Sequence, residues 1–271
     1  MNQGGDIIMK QGISTNMLKI LAIVAMVCDH APYLMQDWQN YYYVSPIYLL
    51  HAFGRLTAPI FFFLLALGYR RTRNANRYTV RLLVFALLAY MPYILYFKAT
   101  YPNAQNFMDL NVIFTMLLGL LLLRSLHEIQ NVPLKVIAVA LCLIGGYWCD
   151  YGLYGLAMIL VCDIAQNSRR GTVLGMAAVM MTYIFVRLSA QFPGDAGPFD
   201  YLNAFAANPR LVNYLIVMLC QFIPLILIAF NRTWYAGAMG ERRPSFLAKW
   251  GFYIFYPAHI TALLLIRMYL L

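Results

Sequence analysis

Charge is scarce in this chain. Asp, Glu, Lys and Arg make up 11% of its 271 residues, where a soluble domain carries about a quarter. That shortage excludes an ordinary water-soluble fold. Acidic residues are fewest, 10 against 20 basic, for a net charge of +10. The basic residues lie at the ends of apolar runs, as topology determinants do, and not in a patch, so no nucleic-acid partner is expected. The five cysteines form no C-x-x-C pair and mostly lie inside apolar runs, which argues for packing and against disulfides. No metal is expected, because His30, His51, His127 and His259 show no ligand spacing. Walker and G-x-S-x-G motifs are absent, as are an internal repeat and a soluble domain. The first apolar run lacks a short core followed by a small-residue cleavage site and reads as a retained span.

What the chain does have is apolar length. Hydrophobic residues are 62% of the total, and they fall into runs near the roughly 20 residues that a bilayer requires. The pattern predicts one all-α domain over residues 1–271, a polytopic membrane helical bundle of about nine spans. These are placed at 13–33, 48–69, 78–97, 110–126, 133–149, 150–166, 171–190, 211–230 and 247–269. The fifth and sixth meet at Gly145, Gly146 and Gly152, as a tight hairpin or as one re-entrant element. On the side of the N-terminus lie Lys10, Arg70, Arg71, Arg73, Arg77, Arg81, Arg124, Lys135, Arg169, Arg170, Arg232, Arg242, Arg243 and Lys249. The opposite side has only Lys98, Arg187, Arg210 and Arg267. The positive-inside rule then puts the N-terminus in the cytoplasm of a bacterial inner-membrane protein. Membrane lipids are the certain partner. The aromatic faces also permit a homodimer.

Polar residues inside these runs are costly and by default mark function. At a rise of about 1.5 Å per residue, Asp29, His30, Arg55, Asn111, Asp150 and Tyr154 share the outer third of the bundle, with His259 just below. Asp29 and His30 are adjacent and point about 100° apart, so Asp29 is expected to pair with Arg55. That leaves His30 to face a cavity as general base, imidazole being the side chain that exchanges its proton near neutral pH. His259 is the second candidate, with Tyr256 on its face. Arg55 and Asn111 suit a carboxylate or a developing oxyanion, though Asn111 equally suits helix–helix adhesion. Asp150, Tyr151 and Tyr154, at the outer turn, are candidate substrate-binding residues.

Lys19 precedes His30 by eleven residues, three turns, and so lies on the same helix face about 16 Å away. A long donor with phosphates near Lys19, or near Arg70 and Arg71, would reach His30 with its far end. Snorkelling explains Lys19 as well. The outer connection Gln36 to Tyr48 is aromatic, as membrane interfaces are, and Gln191 to Arg210 is long enough to serve as a lid or acceptor loop.

Five pieces together resemble one family: LKILAIVAMVCDHA (18–31), GRLTAPIFFFLLALG (54–68), NVIFTMLLGLL (111–121), DYGLYGLAMIL (150–160) and FYIFYPAHI (252–260). They are similar to the TraX family, named for a pilin acetylase of conjugative plasmids. The resemblance implies an integral-membrane acyltransferase using cytoplasmic acetyl-CoA as co-substrate. It points to Asp29, His30, Gly54, Arg55, Pro59, Asn111, Phe114, Tyr151, Gly152, Tyr256 and His259 as the positions to carry over. The expected reaction is acetyl transfer to an amine, protein N-terminus or small molecule, arriving from the outer side. O-acetylation of a glycan or lipid is the alternative, and a transporter or flippase is the rival from another class.

Overall fold

The structure is a computed structural model that describes residues 12–34, 47–100, 110–190, 192, 197–231 and 246–269. Those residues form helices and tight turns. In chain order the helices are α1 (Thr15–His30), α2 (Ile47–Gly54), α3 (Thr57–Arg71), α4 (Ala75–Thr100), α5 (Val112–Glu128), α6 (Val132–Gly146), α7 (Gly152–Ile164), α8 (Arg169–Ser189), α9 (Pro198–Ala207), α10 (Pro209–Leu219), α11 (Ile223–Ala229) and α12 (Phe246–Tyr269). Six stretches among the described residues are long and apolar enough to cross a membrane: 15–34, 47–71, 75–97, 169–189, 209–229 and 250–269. Helices α5, α6 and α7 are shorter, at 17, 15 and 13 residues. The chain is thus a multi-pass, all-α membrane bundle. Each span expected from the sequence corresponds to one of these helical units. Residues 36–46 of the connection 36–48 lie outside the described residues. The 191–210 connection, read as a loop, contains α9.

Helix α1 shows how sequence becomes placement. Ser14 caps it, its hydroxyl accepting from the Met17 amide at 3.1 Å. Leu18, Ala22 and Ala25 are buried, while Met17, Ile20, Val24 and Val27 are exposed. The buried spacing continues to position 29, which turns Asp29 inward. Pro32 cannot continue the α ladder, and the chain tightens into a 3-10 turn at Ala31–Leu34. The Tyr96 hydroxyl donates to the carbonyl of His30 at 2.9 Å, and Arg267 donates to that of Tyr33 at 2.5 Å. Helices α4 and α12 thereby fix the C-terminal end of α1.

The centre of the bundle is α3. Ala58 through Ala66 are buried without a break, as expected of a helix apolar on all sides. It packs against α1, α5, α7 and α11, and α4 pairs with α12. Small residues permit these approaches. A Cβ on Gly155 of α7 would lie 2.6 Å from Thr115 Cγ2 and 2.9 Å from Phe62 Cζ. Helices α6 and α7 are separate elements joined by a tight turn. Tyr151 in that turn has φ of +62°, an uncommon conformation for a residue with a side chain. The turn is pinned to the entry of α5: Leu110 N–H donates to Trp148 at 2.8 Å, and Asp150 N–H donates back to Leu110 at 2.7 Å.

On the side of the N-terminus, Arg70 donates to the carbonyls of Cys162 and Asp163 at the end of α7, and its Nε lies 3.7 Å from the Asp163 carboxylate. His127 Nε2 meets the other Asp163 oxygen at 2.7 Å. Arg124 binds Glu128, Thr79 and Asn76. This network closes the near end of α3, α4, α5 and α7 with paired charges.

Overpacking at Gly155 tests the close approach. Gly155→Val is expected to cost about 1–3 kcal/mol, lowering the thermal unfolding midpoint in detergent. The conservative change Leu153→Ile, on the exposed face of the same helix, should leave that midpoint unchanged.

Candidate active site

Two pairs form the polar centre. Asp29 of α1 takes its hydrogen bond from His51 of α2, Nδ1 to Oδ1 at 3.1 Å, with His51 fully buried and the Asp29 side chain 15% exposed. Sequence reasoning paired Asp29 with Arg55. The charge of Arg55 does act on Asp29, but the hydrogen-bonded partner is His51, a residue the spacing of histidines had set aside. His51 precedes Arg55 by one helical turn, so one face of α2 carries both toward α1. Gly54 makes the pairing possible: a Cβ there would stand 2.4 Å from Asp29 Cβ and 2.6 Å from its Oδ1.

His30 forms the second pair, with His259 of α12. Its Nδ1 lies 2.9 Å from His259 Nε2, and the rings are parallel within 4°. The two histidines therefore share one level. His259 Nδ1 lies 3.0 Å from the Phe255 carbonyl, which only accepts. His259 must then carry its proton on Nδ1, so its Nε2 accepts from His30 Nδ1–H. The relay leaves His30 Nε2 with its lone pair, the form a general base needs. Phe97 and Tyr256 meet the His30 ring edge-on at 5.9 and 6.5 Å. Tyr256 is itself buried.

The remaining predicted residues divide. Asn111 is fully buried and spends both ends of its amide on the fold: Oδ1 caps α5 at the Ile113 amide (3.0 Å) and Nδ2 donates to Ala86 (3.0 Å). Its expected contact with substrate gives way to capping. Tyr151 and Tyr154 both stand edge-on to Phe62 of α3. The carbonyl of Asp150 accepts from the Thr115 hydroxyl. Lys19 is half-buried on α1, and Arg71 is exposed. Arg70 is engaged with the end of α7, a structural use where a phosphate contact was expected. Among the described residues no group of His, Cys, Asp and Glu is arranged to hold a metal.

Several contributors went unnoticed in the sequence. Tyr183 of α8 stacks on Tyr154 at 4.4 Å. Gln221 accepts from the Tyr154 hydroxyl at 2.8 Å. A Gln three residues before Pro224 inside an apolar run was the available signal. The chain breaks cluster here as well: Arg55–Leu56 between α2 and α3, and the 3-10 turn Cys220–Phe222 between α10 and α11.

Fold and site together define a polytopic helical membrane protein with a histidine-rich polar centre enclosed by its spans. The TraX protein family matches residues 14–267, and the chain belongs to that family. It is 29% identical to the probable fimbrial assembly protein FimC, serogroup H1, of Dichelobacter nodosus, across 93% of this chain and 95% of that protein. No solved structure matches it.

The Asp29–His51 pair is testable by a double-mutant cycle. Removing one partner of a buried pair costs about 3 kcal/mol, so Asp29→Ala should lower unfolding free energy in mixed micelles by that order. The double change Asp29→Ala, His51→Ala should cost less than the two single changes summed.

Proposed function

We propose that this protein transfers an acetyl group from acetyl-CoA, entering from the side of the N-terminus, to an amine arriving from the opposite side. The observation that carries this reading is the His30–His259 relay, which fixes the tautomer of a half-buried imidazole and leaves its second nitrogen as the basic one. Family membership and the named role of the relative favour a surface-fibre subunit as acceptor, through its N-terminal amine. Lys19 and Arg71 would receive the phosphates of the donor, with Lys19 on the face of α1 that leads to His30. The N-terminus then lies in the cytoplasm and the membrane is the bacterial inner membrane.

In this mechanism His30 Nε2 takes a proton from the acceptor nitrogen as that nitrogen attacks the thioester carbonyl carbon. Arg55 steadies the oxyanion of the tetrahedral intermediate. The C–S bond then breaks, and the CoA thiolate receives the proton from His30. The products are the acetylated amine and free CoA. His259 holds the imidazole in the productive tautomer. Asp29 and His51 hold Arg55 and the end of α1 in register.

The breaks in two helices at the level of the polar centre favour a second reading, since discontinuous helices also build transporter sites. Proteoliposomes separate the two: uptake of a solute without consumption of acetyl-CoA supports transport. For the enzyme reading, His30→Ala should lower kcat by about 10²–10⁴-fold, with a smaller loss for His259→Ala. Acetylation at the full rate by folded His30→Ala protein would overturn the assignment.

A further inference from the structure

Gln221 sits where α10 gives way to α11, in the 3-10 turn Cys220–Phe222, and is 4% exposed. Its carboxamide is half used. Oε1 accepts from the Tyr154 hydroxyl at 2.8 Å, while Nε2 is buried and has no hydrogen-bond partner among the described residues. An unmet buried donor is costly and calls for an explanation. No secondary-structure demand puts it there. The turn packs against α2, which carries His51, and against α8, which carries Tyr183. Tyr154, which bonds the amide, stacks on Tyr183 at 4.4 Å. An unmet N–H thus stands beside a stacked aromatic pair.

We infer that Gln221 Nε2 is a recognition donor for the acceptor substrate and that it selects a carbonyl oxygen, namely the first peptide carbonyl of a polypeptide N-terminus. The inference rests on the acetyl-transfer reading for its reaction, but its chemistry stands on the amide alone. A hydroxyl accepts and also donates, so a sugar is best held by a group offering both functions. The unmet function of Gln221 is the donor, since Oε1 already holds the Tyr154 hydroxyl while Nε2 has no partner among the described residues. A peptide carbonyl is an acceptor only and matches it. The Tyr154 bond also fixes the amide orientation in advance, so little ordering is required on binding. Gln221 is therefore a specificity-determining residue that favours peptide amines over glycan hydroxyls.

Direct binding tests this without requiring turnover. A library of hexapeptides with free amino termini, varied at the first two positions, is titrated onto the full-length protein in nanodiscs. The tightest binder is then remade with its first peptide carbonyl reduced to methylene. Loss of that carbonyl should weaken binding to the natural sequence about tenfold, and Gln221→Met should weaken binding of the unmodified peptide by a similar factor. The reduced peptide should bind Gln221→Met no worse than it binds the natural sequence. The wild-type comparison of the two peptides does not depend on the fold of the variant. Equal binding of both peptides to the natural sequence, or no peptide binding at all, overturns the inference. Gln221-dependent binding with no acetyl transfer would sustain it and count against the acetyltransferase reading instead.

Discussion

A carboxylate in the interior of a membrane bundle must be met by neighbouring groups or it is not tolerated, and Asp29 is the point where this protein satisfies that demand. Its partners come from α2 and the turn that follows it: the His51 ring by hydrogen bond and Arg55 by charge. Both are delivered only because Gly54 lets the backbone of α2 close on the Asp29 side chain. With α1 held at this point, His30 follows one residue later in a fixed direction. It turns toward α12 and His259 as Asp29 turns toward α2. The adjacent pair at the end of α1 therefore organises two sides of the bundle at once.

The irregularities of the chain gather around this anchor. Pro32 ends α1 in a 3-10 turn, Arg55 and Leu56 separate α2 from α3, Tyr151 takes a left-handed conformation before α7, and Cys220–Phe222 interrupt α10 and α11. Regular helices satisfy their own backbone and present only side chains. Interrupted ones can turn polar groups inward where other protein, not lipid, surrounds them. The continuous apolar packing of α3 below this level supplies the rigidity that such a layer requires.

Charge is managed differently at the other end. There Arg70, His127 and Asp163 tie α3, α5 and α7 together, and Arg124 adds α4. Arg70 sits at the C-terminal end of α7, where carbonyls are unpaired and cations are favoured. This arrangement fixes the vertical position of α7 relative to α3, and with it the height of Tyr154 at the opposite end of α7.

The helical class and the apolar segments were legible in the sequence, as were Asp29, His30 and His259 as polar groups within them, because apolar length and the cost of buried charge act on each segment separately. The spacing Leu18, Ala22, Ala25 was enough to turn Asp29 inward. Partnership was not legible. The sequence paired Asp29 with Arg55 and passed over His51, whose hydrogen bond depends on how closely α1 and α2 approach across Gly54. Asn111 looked like a site residue and proved to be a cap, because its amide meets Ala86 only once α4 and α5 are packed. His30 and His259, 229 residues apart, and Tyr154 and Gln221, 67 apart, are joined only by the folded bundle. The sequence by itself determined which segments are apolar enough to cross a membrane and which polar groups they carry. The tertiary structure alone decided which of them touch, because a hydrogen bond requires ångström-scale registration between helices that no single helix can specify.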